Sequence, residues 1–200
     1  MLTGGLAGAA LTLIVQALIR WWTRPQIEIV FANKEPGCLV DTNIPGGTKD
    51  VYRYIRIKVK NTGNSTAFGV FLCTTKLSFI STGTGSRAFR DEVFDLGVVG
   101  KQAPFLLAPG AHRYVDLGHT FLNEANGTTS FDYAFKDWRP ARLERLGIGT
   151  QSGTYKMEIF VSAENAKSVQ GIAEWSWDGG FPGLDIKGIV VKHRRRGKVQ

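Results

Sequence analysis

The chain has 200 residues, 43% of them hydrophobic, enough for one packed domain and too apolar for a disordered chain. Its net charge of +8 is uneven: Lys192, Arg194, Arg195, Arg196 and Lys198 carry five of those charges with no acid among them, so the basic character belongs to the C-terminus and not to the body. Two cysteines, Cys38 and Cys73, with no CxxC or Cys/His spacing, exclude a disulfide framework and a zinc-finger-type site.

From Met1 to Ile19 there is no charged side chain, and only Thr3, Thr12 and Gln16 interrupt the Leu-, Ala- and Gly-rich run. At about 1.5 Å per residue the run reaches nearly 30 Å as a helix, the thickness of a bilayer's hydrocarbon core. Arg20 ends it, Trp21 and Trp22 follow where an interfacial aromatic belt belongs, and Arg24-Pro25 discourages further helix. Residues 1–23 are therefore expected to be a transmembrane anchor. A cleaved leader would carry its positive charge before the apolar run, and an interfacial helix would need a polar face; neither pattern is present. A buried globular helix is rarely apolar all round for this length. Arg20 and Arg24 bias the following domain to the cytoplasmic side of a single-pass cell-membrane protein. Gly4 and Gly8 form a small-xxx-small pair that would let two such helices approach as a homodimer; Gly and Ala are also simply common in membrane helices.

After Pro25 the hydrophobic period changes to two. Ile27, Ile29 and Phe31 alternate, as do Ile55, Ile57 and Val59 against Arg56, Lys58 and Lys60. Phe68, Val70 and Leu72 form the next set, followed by Phe131, Tyr133 and Phe135, then Tyr155, Met157, Ile159 and Val161, then Ala173, Trp175 and Trp177. Stretches near Ser81–Arg90 and Gly118–Thr129 read as longer surface loops. Many short strands joined by Gly-, Asn-, Ser- and Thr-rich turns predict two packed antiparallel sheets over residues 24–191, with residues 192–200 as a basic tail.

Three segments carry a resemblance. IKVKNTGNSTAFGV (Ile57–Val70) holds the spacing V-x-N-x-G-x-x-x-A between two strands. LAPGAHRYVDL (Leu107–Leu117) has a Pro-Gly turn leading into a strand, and GTYKMEIFVSAENA (Gly153–Ala166) is a G-x-Y strand that ends near an Asn. Together they are similar to the signatures of CARDB-like and related bacterial immunoglobulin-like domains, over about a fifth of the chain. The resemblance implies an all-β, immunoglobulin-like β-sandwich used for adhesion or interaction, and it brings no active site with it.

Chemistry-bearing clusters are few. His112, His119 and His193 have no metal-ligand partner at short spacing. Gly83–Ser86 and Gly147–Thr150 lack the strand and helix context of a phosphate loop, and Asp91, Glu92 and Asp95 read as a solvated loop face. Trp175 and Trp177 share a strand face and belong either to the core or, if exposed, to a partner platform. No cofactor and no catalytic residue is expected. The tail residues Lys192, Arg194, Arg195, Arg196 and Lys198 fit anionic lipid better than nucleic acid if the domain sits against an anionic leaflet. The expected function is a membrane-anchored, non-catalytic interaction domain with a protein partner. The alternatives are a membrane-tethered enzyme built from loops, using His112 or His119 with an acid and Ser or Cys73, or a lipid or nucleic-acid binder acting through the tail.

Overall fold

The computed structural model describes residues 3–43, 51–85, 87–91, 93–96, 104–123, 127–134 and 151–192, with the side chains of residues 3–8, 20, 21, 43, 88–90, 123 and 128 outside that description. The apolar N-terminal run folds as a single helix, α1 (Thr3–Trp22). Its end is closed locally: the backbone N–H and the hydroxyl of Thr23 both donate to the Ile19 carbonyl, at 2.8 and 2.7 Å, and Pro25 prevents continuation. Leu11, Leu13, Ile14, Val15, Leu18 and Ile19 are all exposed, by 45–67%. Among the described residues no helix is long and apolar enough to cross a membrane.

Among the described residues every later element is a strand. In chain order these are β1 (Ile27–Val30), β2 (Leu39–Asn43), β3 (Val51–Asn61), β4 (Ala67–Ser81), β5 (Arg87–Arg90) and β6 (Phe94–Asp95). They continue with β7 (Phe105–Leu107), β8 (His112–Asn123), β9 (Thr128–Tyr133), β10 (Gly153–Ala163), β11 (Ala166–Trp177) and β12 (Leu184–Lys192). The strands pair antiparallel in two sheets. One runs β1-β3-β8-β9, with β2 also on β3; the other runs β12-β11-β10-β4-β5, with β6 and β7 on β4. The period-two residues of both sheets meet in one core: Ile55, Ile57, Val59, Val115 and Leu117 from the first, and Leu72, Leu77, Tyr155, Met157, Ile159 and Trp175 from the second, are fully buried. The fold is thus all-β and sandwich-like, with the helix outside it.

Most of the expected strand faces are found, and three expectations need correction. Gly118–Thr129 is not a loop: β8 continues to Asn123 and β9 begins at Thr128, because Thr120 buries inward while His119 and Phe121 point outward, a true alternation hidden by polar residue types. Ser81–Arg90 likewise contains the end of β4 and the whole of β5. Phe68 does not share the face of Val70 and Leu72. Gly69 adopts φ +57, the β4–β7 register shifts there, and the resulting bulge turns Phe68 out to solvent and Ala67 into the core. Phe135 and Gly147–Thr150 lie outside the described residues.

The turn after β3 joins the helix exit to the sandwich. Asn61 is fully buried and works as a hydrogen-bond hub: its Nδ2 donates to the carbonyls of Ser65 (2.7 Å) and Leu107 (2.9 Å). Its Oδ1 accepts from the backbone N–H groups of Gly63 (3.0 Å) and Gln26 (3.2 Å). Gly63 is required because a Cβ there would stand 2.5 Å from both the Arg24 carbonyl oxygen and the Gln26 nitrogen. The Asn and Gly of the V-x-N-x-G spacing therefore let the segment leaving α1 lie directly on the β3–β4 turn.

Candidate functional site

Alternation in β3 sends Ile55, Ile57 and Val59 inward and leaves Tyr52, Tyr54, Arg56 and Lys58 on the opposite face of the sheet. The register with β8 sets Phe121 opposite Tyr52, His119 opposite Tyr54, and Asp116 opposite Arg56. The result is an aromatic ladder on the outer face of the five-stranded sheet. Ring centroids are 4.9 Å apart for Tyr52–Phe121, 5.5 Å for Tyr52–His119 and 5.2 Å for Tyr54–His119. The Arg56 guanidinium lies 4.9 Å from the Tyr54 ring centre while its Nε donates to Asp116 at 2.6 Å, so the cation is held flat over the ring. All five side chains are half-buried.

Below this ladder the connection between β1 and β2 reaches over the same face. Lys58 donates to Glu35 at 2.6 Å, and the Tyr114 hydroxyl donates to the Pro36 carbonyl. Gly37, at φ +87, passes so close to the Tyr114 ring that a Cβ would sit 2.5 Å from it. Cover from this connection thus reaches the Lys58–Tyr114 half of the face.

His119 is the one ladder residue with a perturbed titration that bears on neutral pH. Burial pushes its pKa below the ordinary histidine value, against the opposing pull of Asp132 and Asp116. Its Nδ1 is buried and accepts or donates no hydrogen bond among the described residues. The imidazole therefore behaves at neutral pH as an aromatic plate, in keeping with its neighbours.

Of the alternative catalytic set, Cys73 is not brought to either histidine, whereas His119 does face an acid, Asp132, across the β8–β9 pairing. His112 is exposed at the start of β8, and His119 lies on the outer face of the five-stranded sheet. Cys73 is in β4 of the other sheet, opposite Asp95 in β6. Both cysteines are free and buried, and burial raises both thiol pKa values, which keeps them protonated and poorly nucleophilic. Asp91 pairs with Lys76 at 3.6 Å, while Glu92 lies outside the described residues. Trp175 and Trp177 are core residues, 0% and 2% exposed, and do not form a surface platform. Of the tail residues, Lys192 ends β12 and ion-pairs with Glu158, whereas Arg194, Arg195, Arg196 and Lys198 lie outside the described residues. Gly4 and Gly8 fall within α1, with their surroundings outside the description.

Arg56 and Lys58 are legible in the sequence as an outer face, but the ladder is not. Tyr52 and Tyr54 alternate visibly in VYRYIRIKVK, and that signal was available; their partners His119 and Phe121 were hidden in a segment read as loop. Compared with known proteins, the sequence matches no family model and no curated protein.

Proposed function

We propose that this chain is a single-pass membrane protein whose N-terminal helix tethers an immunoglobulin-like, non-catalytic interaction domain, and that the aromatic ladder on β3 and β8 is where a protein partner binds. The observation that carries the binding role is the ladder itself: Tyr52, Tyr54, His119 and Phe121 gathered with Arg56 on a sheet's outer face, where alternation ordinarily places isolated polar residues. Tyr, Phe and Arg are the residue types enriched in the centres of protein interfaces. The sandwich is read as immunoglobulin-like of the CARDB kind because Asn61 and Gly63, central to the resemblance, have the structural roles such a signature needs.

Support for the anchor comes from the uncharged run Leu2–Ile19 and from the 20-residue length of α1, about 30 Å, with its described apolar side chains facing solvent and not the sandwich. The anchor reading is carried by the sequence of the whole run, which extends beyond the described side chains. Arg20 and Arg24 favour a cytoplasmic domain. The test is site-specific photo-crosslinking in cells from a probe at position 54 and, as the contrast, at Glu174 on the other sheet. One discrete protein adduct from position 54 and none from 174 is expected. Equal labelling from both positions, or none from position 54, would remove the ladder as the binding face.

A further inference from the structure

A groove of ≈ 780 Å³ opens at the foot of α1, between the helix exit, the start of β1 and the ends of β11 and β12 that lie beside it. Its size is within the roughly 300–1,000 Å³ of small-ligand sites. Three features of its lining act together. Arg24 and Lys167 are exposed cations, and no ion pair holds either of them among the described residues; Lys192, by contrast, is neutralised by Glu158. One further carboxylate, Glu28, lines the same groove. Two unheld cations against one carboxylate leave an excess of a single positive charge, which suits a ligand with one negative charge.

The second feature is apolar. Ile27, Val169 and Val191 are half-buried in the groove, and Trp22, 71% exposed, stands at its mouth. A free phosphate or small carboxylate has no use for that surface, whereas an amphiphile with a charged head on an apolar stem uses both. The third feature is position: the groove lies where the last turn of α1 meets the domain, the level at which a membrane helix passes from hydrocarbon to headgroups.

We propose that this groove is a binding site for the headgroup of a monoanionic phospholipid, with Arg24 and Lys167 facing its phosphodiester and the Ile27–Val169–Val191 surface facing its glycerol and upper acyl region. The assignment rests on α1 being a membrane anchor. The bound lipid would then fix the domain against the bilayer, since its contacts come from both the helix exit and the far sheet.

The experiment uses the full chain in phosphatidylcholine bilayers doped with spin-labelled phosphatidylglycerol or spin-labelled phosphatidylcholine, reading the motionally restricted fraction of each label. Wild type is expected to prefer phosphatidylglycerol, by about fivefold for each engaged cation. Arg24→Gln and Lys167→Gln should each lose about that factor, the double variant and Lys167→Glu should show no preference, and Lys34→Gln should match wild type. Deleting residues 193–200 should leave the preference in place. A wild-type chain that fails to float with phosphatidylcholine vesicles would overturn the anchor reading and this site with it. A chain that floats but shows no phosphatidylglycerol preference, or whose preference survives in the Arg24→Gln/Lys167→Gln double variant, would overturn the site and leave the anchor standing. Displacement of the label by millimolar glycerol 3-phosphate would assign the groove to a soluble phosphate ester and overturn the lipid.

Discussion

Two aromatic clusters lie on opposite faces of the same five-stranded sheet, and they differ in nearly every property except residue type. The inner one joins Phe131 and Tyr133 of β9 to Tyr155, Trp175 and Trp177 of the other sheet, with Tyr155 and Trp175 stacked at 5.7 Å and 6°. All five of its rings are at most 2% exposed. The outer one, Tyr52, Tyr54, His119 and Phe121, keeps its rings half-buried and its edges available. The difference teaches that aromatic content says little until the face is known. Rings between sheets contribute stability through burial and packing, whereas rings on the outer face contribute only the area they cover on each other.

The sharpest way to separate the two is to truncate one member of each. Trp175→Ala would empty the largest fully buried side chain and should cost about 3–5 kcal/mol, read as a lowered midpoint in urea unfolding. Trp175 Nε1 is buried without a hydrogen-bond acceptor, so Trp175→Phe should cost clearly less than the loss of packing area alone implies. If Trp175→Ala unfolds no more easily than an outer-face truncation, the inner cluster is not the core.

A smaller effect is expected where the two clusters approach each other. Gly118 of β8 sits next to His119 of the ladder, and a Cβ there would stand 2.6 Å from the Phe131 ring and from the Asp132 carbonyl oxygen. Gly118→Ala should therefore cost about 1–3 kcal/mol by overpacking, while also tilting His119. Chemical denaturation gives the first quantity. The near-ultraviolet circular dichroism of the native aromatics should report the second, and an unchanged spectrum would mean the faces are structurally independent.

How much of this contrast was legible in the sequence follows from what each face requires. The strands of the inner cluster were readable because burial on one side of a strand imposes strict alternation, as in Tyr155, Met157, Ile159 and Val161, or Ala173, Trp175 and Trp177; whether the Trp175–Trp177 face is core or platform needed the second sheet to decide. The Asn61–Gly63 turn was readable because residue type there is fixed by a hub of hydrogen bonds and a close backbone approach. The outer ladder was not, because it depends on register. Tyr52 meets Phe121 only after β3 and β8 pair across nearly seventy residues, with a shift at Ile55/Arg56 that no local pattern announces. His119 and Thr120 also broke the apolar alternation in β8, one turned outward among aromatics and the other a buried polar residue. The groove at the foot of α1 was equally hidden, since Arg24 and Lys167 come together only through the fold.

Within the ladder itself the stability at stake is modest. Tyr52→Ala and Phe121→Ala should each cost no more than about 1–2 kcal/mol, and the double-mutant cycle should return a coupling of about 0.5–1 kcal/mol, the range for cross-strand aromatic pairs. The same substitutions should abolish the crosslink from position 54 while leaving the fold intact. A loss of binding and stability in proportion would make the ladder a second core and not a surface.

The smallest effect at neutral pH, and the one most specific to the outer face, is that of His119. Its native pKa lies below the unfolded value of about 6.5 because burial disfavours the imidazolium, although Asp132 and Asp116 pull the other way. The sign follows from proton counting: as pH falls below about 6.5 the unfolded chain takes up a proton that the native chain resists, so stability is full above that pH and declines beneath it. Asp41 and Asp185 have native pKa values lowered chiefly by hydrogen bonds from Arg53 and Lys187, so their contribution is lost only at lower pH, through and below the carboxylate range. Of these three groups, His119 is the one whose contribution changes across the window from pH 7 to pH 5. Unfolding free energies of the wild type should decline across it, and those of His119→Gln should be flatter, with the two curves converging as pH falls. A parallel decline in both would assign the pH dependence to another group and leave His119 as an ordinary surface ring. Convergence would show that an outer face with its imidazole kept neutral by burial shares, at that one position, the desolvated character of the inner cluster.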